Sequence, residues 1–571
     1  MPVSPIPTPD PMQEARRAIR GYLFAAGAFS LAVNVLYLAS PLYMLQVYNR
    51  VVNSGSEVTL ILLTVVLLLA FAALSLLDSV RTRILTRMGV RLDRMLAERV
   101  FAASFRPAGG PLGARSHALR EFDVFRQFIS SGAMTSLLDL PWSPIYILAA
   151  FLLHPAIGAF ALVASLLLLA LAISNEFFLS KPLREANEAA SRSHSFAEMA
   201  VRNAEVVQAM GIIDGVVQRW NRDRSRYILK QLEAGDRASG MSSFIRFLRI
   251  SLQSLILGLG ALLAVARLVG VGTIFASGFL LGRALAPIES IVGNWRNIVA
   301  ARVAYLKVRE LLAAQPAVPD LMSLPPPKGH LAVEGLHFAL AGTSKFALRN
   351  VAFRLEAGES LGIVGPSGAG KSTLARLLVG VLRPAGGAVR IDGADVQHWP
   401  RRHLGRHLGY LPQDVELFAD TVAANISRFT AGADADLVKA AQMAGVHEMI
   451  LRLPGGYNTE VGEGGAVLSG GYRQRIGLAR AVFGIPSLVV LDEPSSNLDA
   501  EGDAALSRCL ETLKALGSTV VIISHRPTTL GSVDKMLFLR DGVVEAFGPR
   551  DEIAARLTHR PAAAAAEMAH G

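Results

Sequence analysis

The sequence predicts two unlike parts in one chain: a bundle of six membrane-crossing helices over residues 21–315 and an α/β phosphate-binding domain over residues 330–557. Three observations carry this. The first part holds uncharged runs long enough to cross a bilayer. The second holds Gly365-Pro366-Ser367-Gly368-Ala369-Gly370-Lys371-Ser372-Thr373 directly after the apolar run Leu361-Gly362-Ile363-Val364, the strand-to-loop order that a phosphate-gripping loop requires. The composition fits both: 571 residues, 51% hydrophobic and 18% charged, with mean hydropathy +0.39, are too many for one domain and too apolar for a wholly soluble protein.

No side chain is charged between Arg20 and Arg50, nor from Val58 to Leu77, and the polar stretch Asn49 to Glu57 turns the chain between these two runs. The uncharged stretch from Leu140 to Asn175 is too long for one span, and His154-Pro155 near its middle supplies a turn. A third pair runs from about Phe247 to Arg267 and from about Val271 to Ile291. Six spans put both termini on one side. Residues 81–134 carry ten arginines against four acids, and residues 181–249 are also Arg-rich, whereas the turns at 49–57, 154–155 and 267–271 are nearly bare. By the positive-inside rule the long connections are cytoplasmic. They are polar and amphipathic enough to extend the spans into the cytosol, so Leu119 to Ser131 and Asn203 to Trp220 are expected to carry short segments that dock on the nucleotide-binding half; plain solvated connectors are the alternative.

Arg283 interrupts the last span roughly 18 Å from its external end at helical rise. Either it faces protein or water and lines a translocation path, or it snorkels to the inner interface. Pro287, a turn later, is expected to kink the same helix. Residues 1–20 form a short Pro-rich and then polar lead-in without the pattern of a removable signal peptide, residues 316–329 a Pro-rich linker, and residues 558–571 an Ala-rich tail. The net charge of +11 does not imply nucleic acid, because no basic, aromatic-interleaved groove motif accompanies it and the arginines cluster beside the apolar runs. The only cysteine, Cys509, excludes an intrachain disulfide and reads as a small core residue.

In the loop Gly365–Thr373 the glycines let backbone N–H groups point at phosphate oxygens, and the helix that follows adds its positive end. Lys371 supplies a mobile charge for the β- and γ-phosphates, and Ser372 a hydroxyl for Mg²⁺. Ser487-Leu488-Val489-Val490-Leu491-Asp492-Glu493-Pro494 is a buried strand ending in two acids, of which Asp492 can hold the magnesium shell and Glu493 can polarise an attacking water. Leu468-Ser469-Gly470-Gly471-Tyr472-Arg473-Gln474-Arg475 opens a helix with a hydroxyl and two glycines, a second phosphate-compatible N-terminus.

This last element resembles the signature of ABC-family ATPases, and the resemblance extends over the whole domain. It implies that Ser469, Gly470 and Gly471 close over the ATP held by a partner domain. It implies that Gln413, in Tyr410-Leu411-Pro412-Gln413-Asp414, is the Q-loop contact to magnesium and water. His525, in Ile523-Ser524-His525-Arg526, matches the switch histidine at the γ-phosphate, Ser496-Asn497-Leu498-Asp499 the D-loop, and Thr459-Glu460-Val461-Gly462-Glu463-Gly464 the exporter-type element near the coupling helices. The fold implied is an α-helical six-span transmembrane domain of ABC exporter type plus an α/β P-loop ABC nucleotide-binding domain. One position departs: Leu340 stands where the family commonly stacks an aromatic residue on adenine, and Phe338 or Phe346 is the candidate to compensate. A chain with one P-loop and one signature must pair, most simply as a homodimer; a heterodimer is the other closure.

The membrane half carries Pro41-Leu42-Tyr43-Met44-Leu45-Gln46-Val47-Tyr48-Asn49-Arg50-Val51, then Ser54-Gly55-Ser56, Asp139-Leu140-Pro141-Trp142-Ser143-Pro144-Ile145-Tyr146 and Asn203-Ala204-Glu205-Val206-Val207-Gln208-Ala209-Met210-Gly211. These resemble the PrtD group of type I secretion ABC transporters. The resemblance implies ATP-driven export of an unfolded polypeptide across a bacterial inner membrane, with a periplasmic membrane-fusion adaptor, a TolC-like outer-membrane channel and the surrounding membrane lipids as partners. The N-terminal peptidase or peptidase-like domain of some related exporters has no room before the first span. An exporter of lipid or hydrophobic small molecules is the rival reading, and an ATP-gated channel or non-hydrolysing subunit a third, against which Glu493 and His525 stand.

Overall fold

The computed structural model describes residues 10–105, 118–313, 324–339 and 345–558, without the side chains of residues 175–180 and 557–558. The chain divides into two compact units, Met1–Ala317 and Val318–Gly571.

Among the described residues the first unit holds six helices long and apolar enough to cross a membrane. Span 1 begins at Pro11, inside the segment that the sequence sets apart as a lead-in. Asp10 caps it by accepting from the Met12 N–H at 2.9 Å, Pro11 fits the first turn, and Met12 and Ala15 are buried beside Val100 and Ala103. Near its other end the span widens into a π-helix over Val47–Val51 and stops at Gly55, whose φ of 62° favours glycine. There Asn49 accepts a 2.8 Å hydrogen bond from the Gly272 N–H of span 6, and a Cβ on Gly272 would lie 3.0 Å from the Leu45 backbone, so glycine allows the two spans to close.

Ser56 caps span 2, which runs unbroken over Glu57–Ser104. Span 3 starts at Gly132, earlier than the apolar run suggests. It consists of Gly132–Asp139, a 3-10 turn over Leu140–Trp142 where Pro141 prevents regular helix, and Ser143–Leu153. His154 is extended, and its Nδ1 accepts from the Ala156 N–H at 3.1 Å to begin span 4, Pro155–Arg202. Span 5 is Ile213–Val265 and span 6 Val271–Gly293. Spans 2, 4 and 5 hold 48, 48 and 53 residues. At helical rise each is over 70 Å long, roughly, against a hydrocarbon core of about 30 Å. The excess is the polar extension expected from the charge pattern, and the short helices Ala118–Ile129 and Ala204–Ala209 lie in the connections.

Span 6 is the most enclosed, with 61% of its apolar window buried against none in span 2, so the apolar surface of span 2 is left uncovered within the chain. Span 6 continues through Pro287 as one helix. The Arg283 guanidinium lies 3.5 Å from the centroid of the Tyr37 ring in span 1. That cation–π contact turns the side chain toward protein rather than toward the inner interface.

The second unit carries two sheets. In the antiparallel one the strands β1 (Leu331–Ala339), β2 (Phe346–Leu355), β4 (Gly386–Ile391) and β5 (Ala394–Asp395) are ordered 2-1-4-5. In the other, β3 (Ser360–Val364), β6 (Leu408–Leu411), β7 (Leu488–Asp492), β8 (Thr519–Ile523), β9 (Lys535–Arg540) and β10 (Val543–Pro549) are ordered 10-9-3-8-7-6. All its neighbours are parallel except β9 with β10. Every residue of β3, β7 and β8 is buried, as expected of parallel strands covered on both faces. Because β8 lies between β3 and β7, the loops leaving their carboxyl ends open on one crevice, where ligands of such sheets bind. Residues 316–323 of the linker, 559–571 of the tail and Leu340 lie outside the described residues.

Candidate active site

After β3 the backbone turns through Gly365, Gly368 and Gly370 at φ 154°, 79° and 98°. A Cβ on Gly365 would lie 2.0 Å from the Leu539 carbonyl oxygen, and one on Gly370 would lie 2.9 Å from that of Ala347, so side chains are excluded on steric grounds as well. The loop, with Pro366, Ser367 and Ala369 between the glycines, feeds the helix Lys371–Leu378, whose first turn includes Ser372 and Thr373. The Lys371 ammonium folds back on the loop, donating to the carbonyls of Gly365 at 2.7 Å and Pro366 at 2.9 Å. Lys371 is only 7% exposed, and burial lowers its pKa against the opposing pull of Glu493 and Asp492.

Asp492 closes β7 at 1% exposure, and among the described residues its Oδ1 has no hydrogen-bond partner. Burial raises its pKa, opposed by a hydrogen bond from Ser372. A buried carboxylate oxygen left open beside a hydroxyl is a donor set suited to a small hard cation, so Ser372 and Asp492 fit Mg²⁺. Glu493 takes φ 49°, a left-handed conformation that costs roughly 1–2 kcal/mol for a residue with a Cβ. Its N–H bonds the Ile523 carbonyl at the end of β8 at 3.0 Å, so the sheet holds the strained residue in place. Its carboxylate accepts from Gln413 Nε2 at 3.0 Å and lies 3.9 Å from His525 Nε2. The loops after β6, β7 and β8 thereby bring Gln413, Glu493 and His525 together. In this arrangement Gln413 touches the carboxylate.

Ser469 caps the helix Gly470–Val482, accepting from the Tyr472 N–H at 3.5 Å. A Cβ on Gly471 would lie 3.2 Å from the Asn497 carbonyl oxygen, so the glycine permits close packing on the loop after Glu493. Two further residues extend this contact. Gln474, 1% exposed, donates to the Pro494 carbonyl at 3.0 Å, and Arg475, 4% exposed, reaches Asp499 at 2.7 Å. Asp499 also accepts from Gly502 N–H at 2.8 Å, and the Gly502 bond followed by Arg475 holds its carboxyl below the usual range. Sequence reasoning assigns neither Gln474 nor Arg475 a role; they stand beside the apolar residues Ile476, Leu478 and Ala479, and their burial with these is visible only in the structure.

Phe346 is 50% exposed, and its neighbours Ala347 and Leu348 touch the backbone turn at Gly370. Phe338 packs against the core of the antiparallel sheet. Of the two candidates for adenine contact, Phe346 is therefore the available ring beside the phosphate loop.

Known proteins give the same division. The family model described as ABC transporter matches residues 348–496, and that described as ABC transporter transmembrane region matches residues 23–283. The type I secretion system ATP-binding protein PrsD of Rhizobium meliloti is 41% identical over 545 residues, 94% of this chain and 93% of that protein. The cyclolysin secretion/processing ATP-binding protein CyaB of Bordetella pertussis is 29% identical, over 92% of this chain and 75% of that protein. A bacterial Atm1-family ABC exporter with ATP bound superposes with a TM-score of 0.81 at 23% identity, covering 94% of this chain and 96% of that one, which extends the likeness of fold to the membrane unit.

Proposed function

The chain belongs to the ABC transporters of type I secretion, an ATPase coupled to transport across a membrane, and on that premise we propose that it exports an unfolded polypeptide from the cytoplasm. One observation carries the proposal: the match to a secretion ATP-binding protein runs through 94% of the chain, so the membrane half shares it with the ATPase half. The membrane is the bacterial inner membrane, and the partners are a second copy of this chain, a periplasmic adaptor and an outer-membrane channel. The experiment compares extracellular proteins from the native host carrying the parent chain or Glu493→Gln, with lipid export followed in the same cultures. Loss of one or a few proteins from the medium is expected; an unchanged protein profile with altered lipid efflux would replace the polypeptide by a lipid cargo.

In this reading the backbone N–H groups of residues 365–373 and the Lys371 ammonium hold the ATP phosphates. Ser372 and Asp492 hold Mg²⁺, which would neutralise charge on the phosphates. Glu493 orients the attacking water, kept in place by Gln413, while His525 contacts the γ-phosphate. Ser469, Gly470 and Gly471 complete the site of a partner domain, which is why a second nucleotide-binding domain is required, most simply that of a second copy. ATP binding closes the pair, the cytoplasmic extensions carry the closure into the membrane, and hydrolysis resets it. Phe346→Ala is expected to weaken ATP binding about tenfold, the worth of one base–aromatic stack, and Phe338→Ala to lower stability instead. Nucleotide titration and thermal unfolding of the two variants separate these effects.

A further inference from the structure

Three spans converge on one carboxylate. Asp139 ends the first segment of span 3, immediately before the 3-10 turn at Leu140–Trp142. Its Oδ1 accepts from Arg81 Nη1 of span 2 at 2.6 Å, from Asn34 Nδ2 of span 1 at 2.9 Å, and from the Ser30 hydroxyl, also of span 1. Beyond the turn the Tyr146 hydroxyl lies 2.8 Å from Asn34 Oδ1 and 2.9 Å from the Asn34 carbonyl, donating to this same residue. Ser30, Asn34, Arg81 and Tyr146 are 0%, 4%, 5% and 1% exposed. The first half of the broken span 3 is thus tied to spans 1 and 2, and the second half to span 1, through side chains that no part of the nucleotide chemistry uses.

A buried ion pair adds little net stability, because the desolvation of two charges offsets most of their attraction. It does impose one geometry, since every donor must stay on the same oxygen. Arg81 lies in the continuous helix Glu57–Ser104, between the apolar run ending at Leu77 and the cytoplasmic length that packs against Ala118–Ile129 and Trp295–Ala313. A force on that length reaches Arg81 before it reaches the lipid-facing part.

We propose that Asp139 is a positioning residue for transport: with Arg81, Ser30 and Asn34 it pins the break of span 3 to spans 1 and 2, so that the three move as one body during the ATP cycle. The proposal rests on the assignment of the chain as a transport ATPase and is independent of what the cargo is. Asp139→Asn keeps the shape and removes the charge. Arg81 retains Asp78, its other carboxylate partner, so the variant does not strand a buried cation.

The test uses the full chain in lipid nanodiscs with spin labels replacing Leu76 of span 2 and Leu148 of span 3, which are 67% and 63% exposed. Distances are measured without nucleotide and, in a Glu493→Gln background, with ATP bound. With Asp139 present the distribution is expected to be narrow and the same in both states; with Asp139→Asn, broad and nucleotide-dependent; with Asp139→Glu, again narrow. Where Glu493 is intact, Asp139→Asn should hydrolyse ATP within about twofold of the parent while export falls about tenfold or more. Identical distributions for the parent and Asp139→Asn would overturn the proposal, as would a parallel loss of hydrolysis, export and thermal stability that Asp139→Glu fails to rescue. Arg81→Lys provides the same comparison with the charge kept if Asp139→Asn does not fold. The label distances involve no cargo, so they stand whatever Glu493→Gln does to the medium.

Discussion

Glu493→Gln is expected to cut ATP hydrolysis at least about 100-fold while changing ATP affinity less than about threefold. The substitution is nearly isosteric, and the amide oxygen still accepts from Gln413, which sits 3.0 Å from the carboxylate. The backbone cost of φ 49° is the same for glutamine, so the fold is not further strained. Asp492, Ser372 and Lys371 are untouched, and the groups that grip phosphate and cation therefore remain. In the proposed mechanism what disappears is the basic oxygen that would take up a proton from the attacking water, and with it one negative charge near the γ-phosphate. Losing that repulsion favours binding, so affinity has no reason to fall. Phosphate release under saturating ATP and equilibrium nucleotide binding, both on the full chain, measure the two quantities. Hydrolysis at the parental rate would move the base elsewhere, with His525, 3.9 Å away, the nearest alternative.

The parts of this site that can be read in the sequence are those in which a short stretch of backbone does the work. Gly365 and Gly370 are legible because positive φ and close backbone neighbours leave no other residue type, Gly368 because of its positive φ, and Asp492 because a strand with no polar residue before its end must be buried. The same holds for the turn at His154-Pro155 and the six spans, which follow from runs of uncharged residues. What sequence does not disclose depends on contacts between distant segments. Glu493 is strained because β7 meets β8, and Gln474 and Arg475 matter because their helix packs on the loop after Glu493. Asp139 stands in sequence at the head of the stretch Asp139–Tyr146 that carries part of the family resemblance, with no role of its own; only folding brings Ser30, Asn34 and Arg81 to it. Arg283 leaves two orientations open in sequence, and the Tyr37 ring decides between them. The start of span 1 at Pro11 is a milder case, since the cap Asp10 and Pro11 are visible but the cluster that takes in Met12 and Ala15 is built from distant segments, among them span 2.

Lys371→Met should separate nucleotide binding from folding more cleanly than any other single change. The ammonium would exchange its two carbonyl partners, Gly365 and Pro366, for phosphate oxygens when ATP enters. Charge-assisted hydrogen bonds contribute about 1.5–3 kcal/mol each, so losing even one pushes ATP affinity down roughly 10- to 100-fold. Without ATP the balance is different. Methionine keeps the apolar stem and removes a cation that burial already disfavours, so unfolding stability without nucleotide should change by less than about 1 kcal/mol. The lowered pKa fixes the sign of a pH effect. The folded domain releases the Lys371 proton at lower pH than the unfolded chain does, so across that alkaline window the unfolded state binds more protons and stability rises with pH. Lys371→Met must lack this rise. Thermal unfolding at several pH values, with and without ATP, reads both effects, because ATP at free concentration c stabilises the parent by RT ln(1 + c/Kd). The variant should lose that ATP-dependent shift while unfolding near the parental temperature in its absence. A large loss of stability without ATP would mean instead that the lysine holds the loop together, and that its carbonyl contacts are structural rather than a resting position for a phosphate ligand.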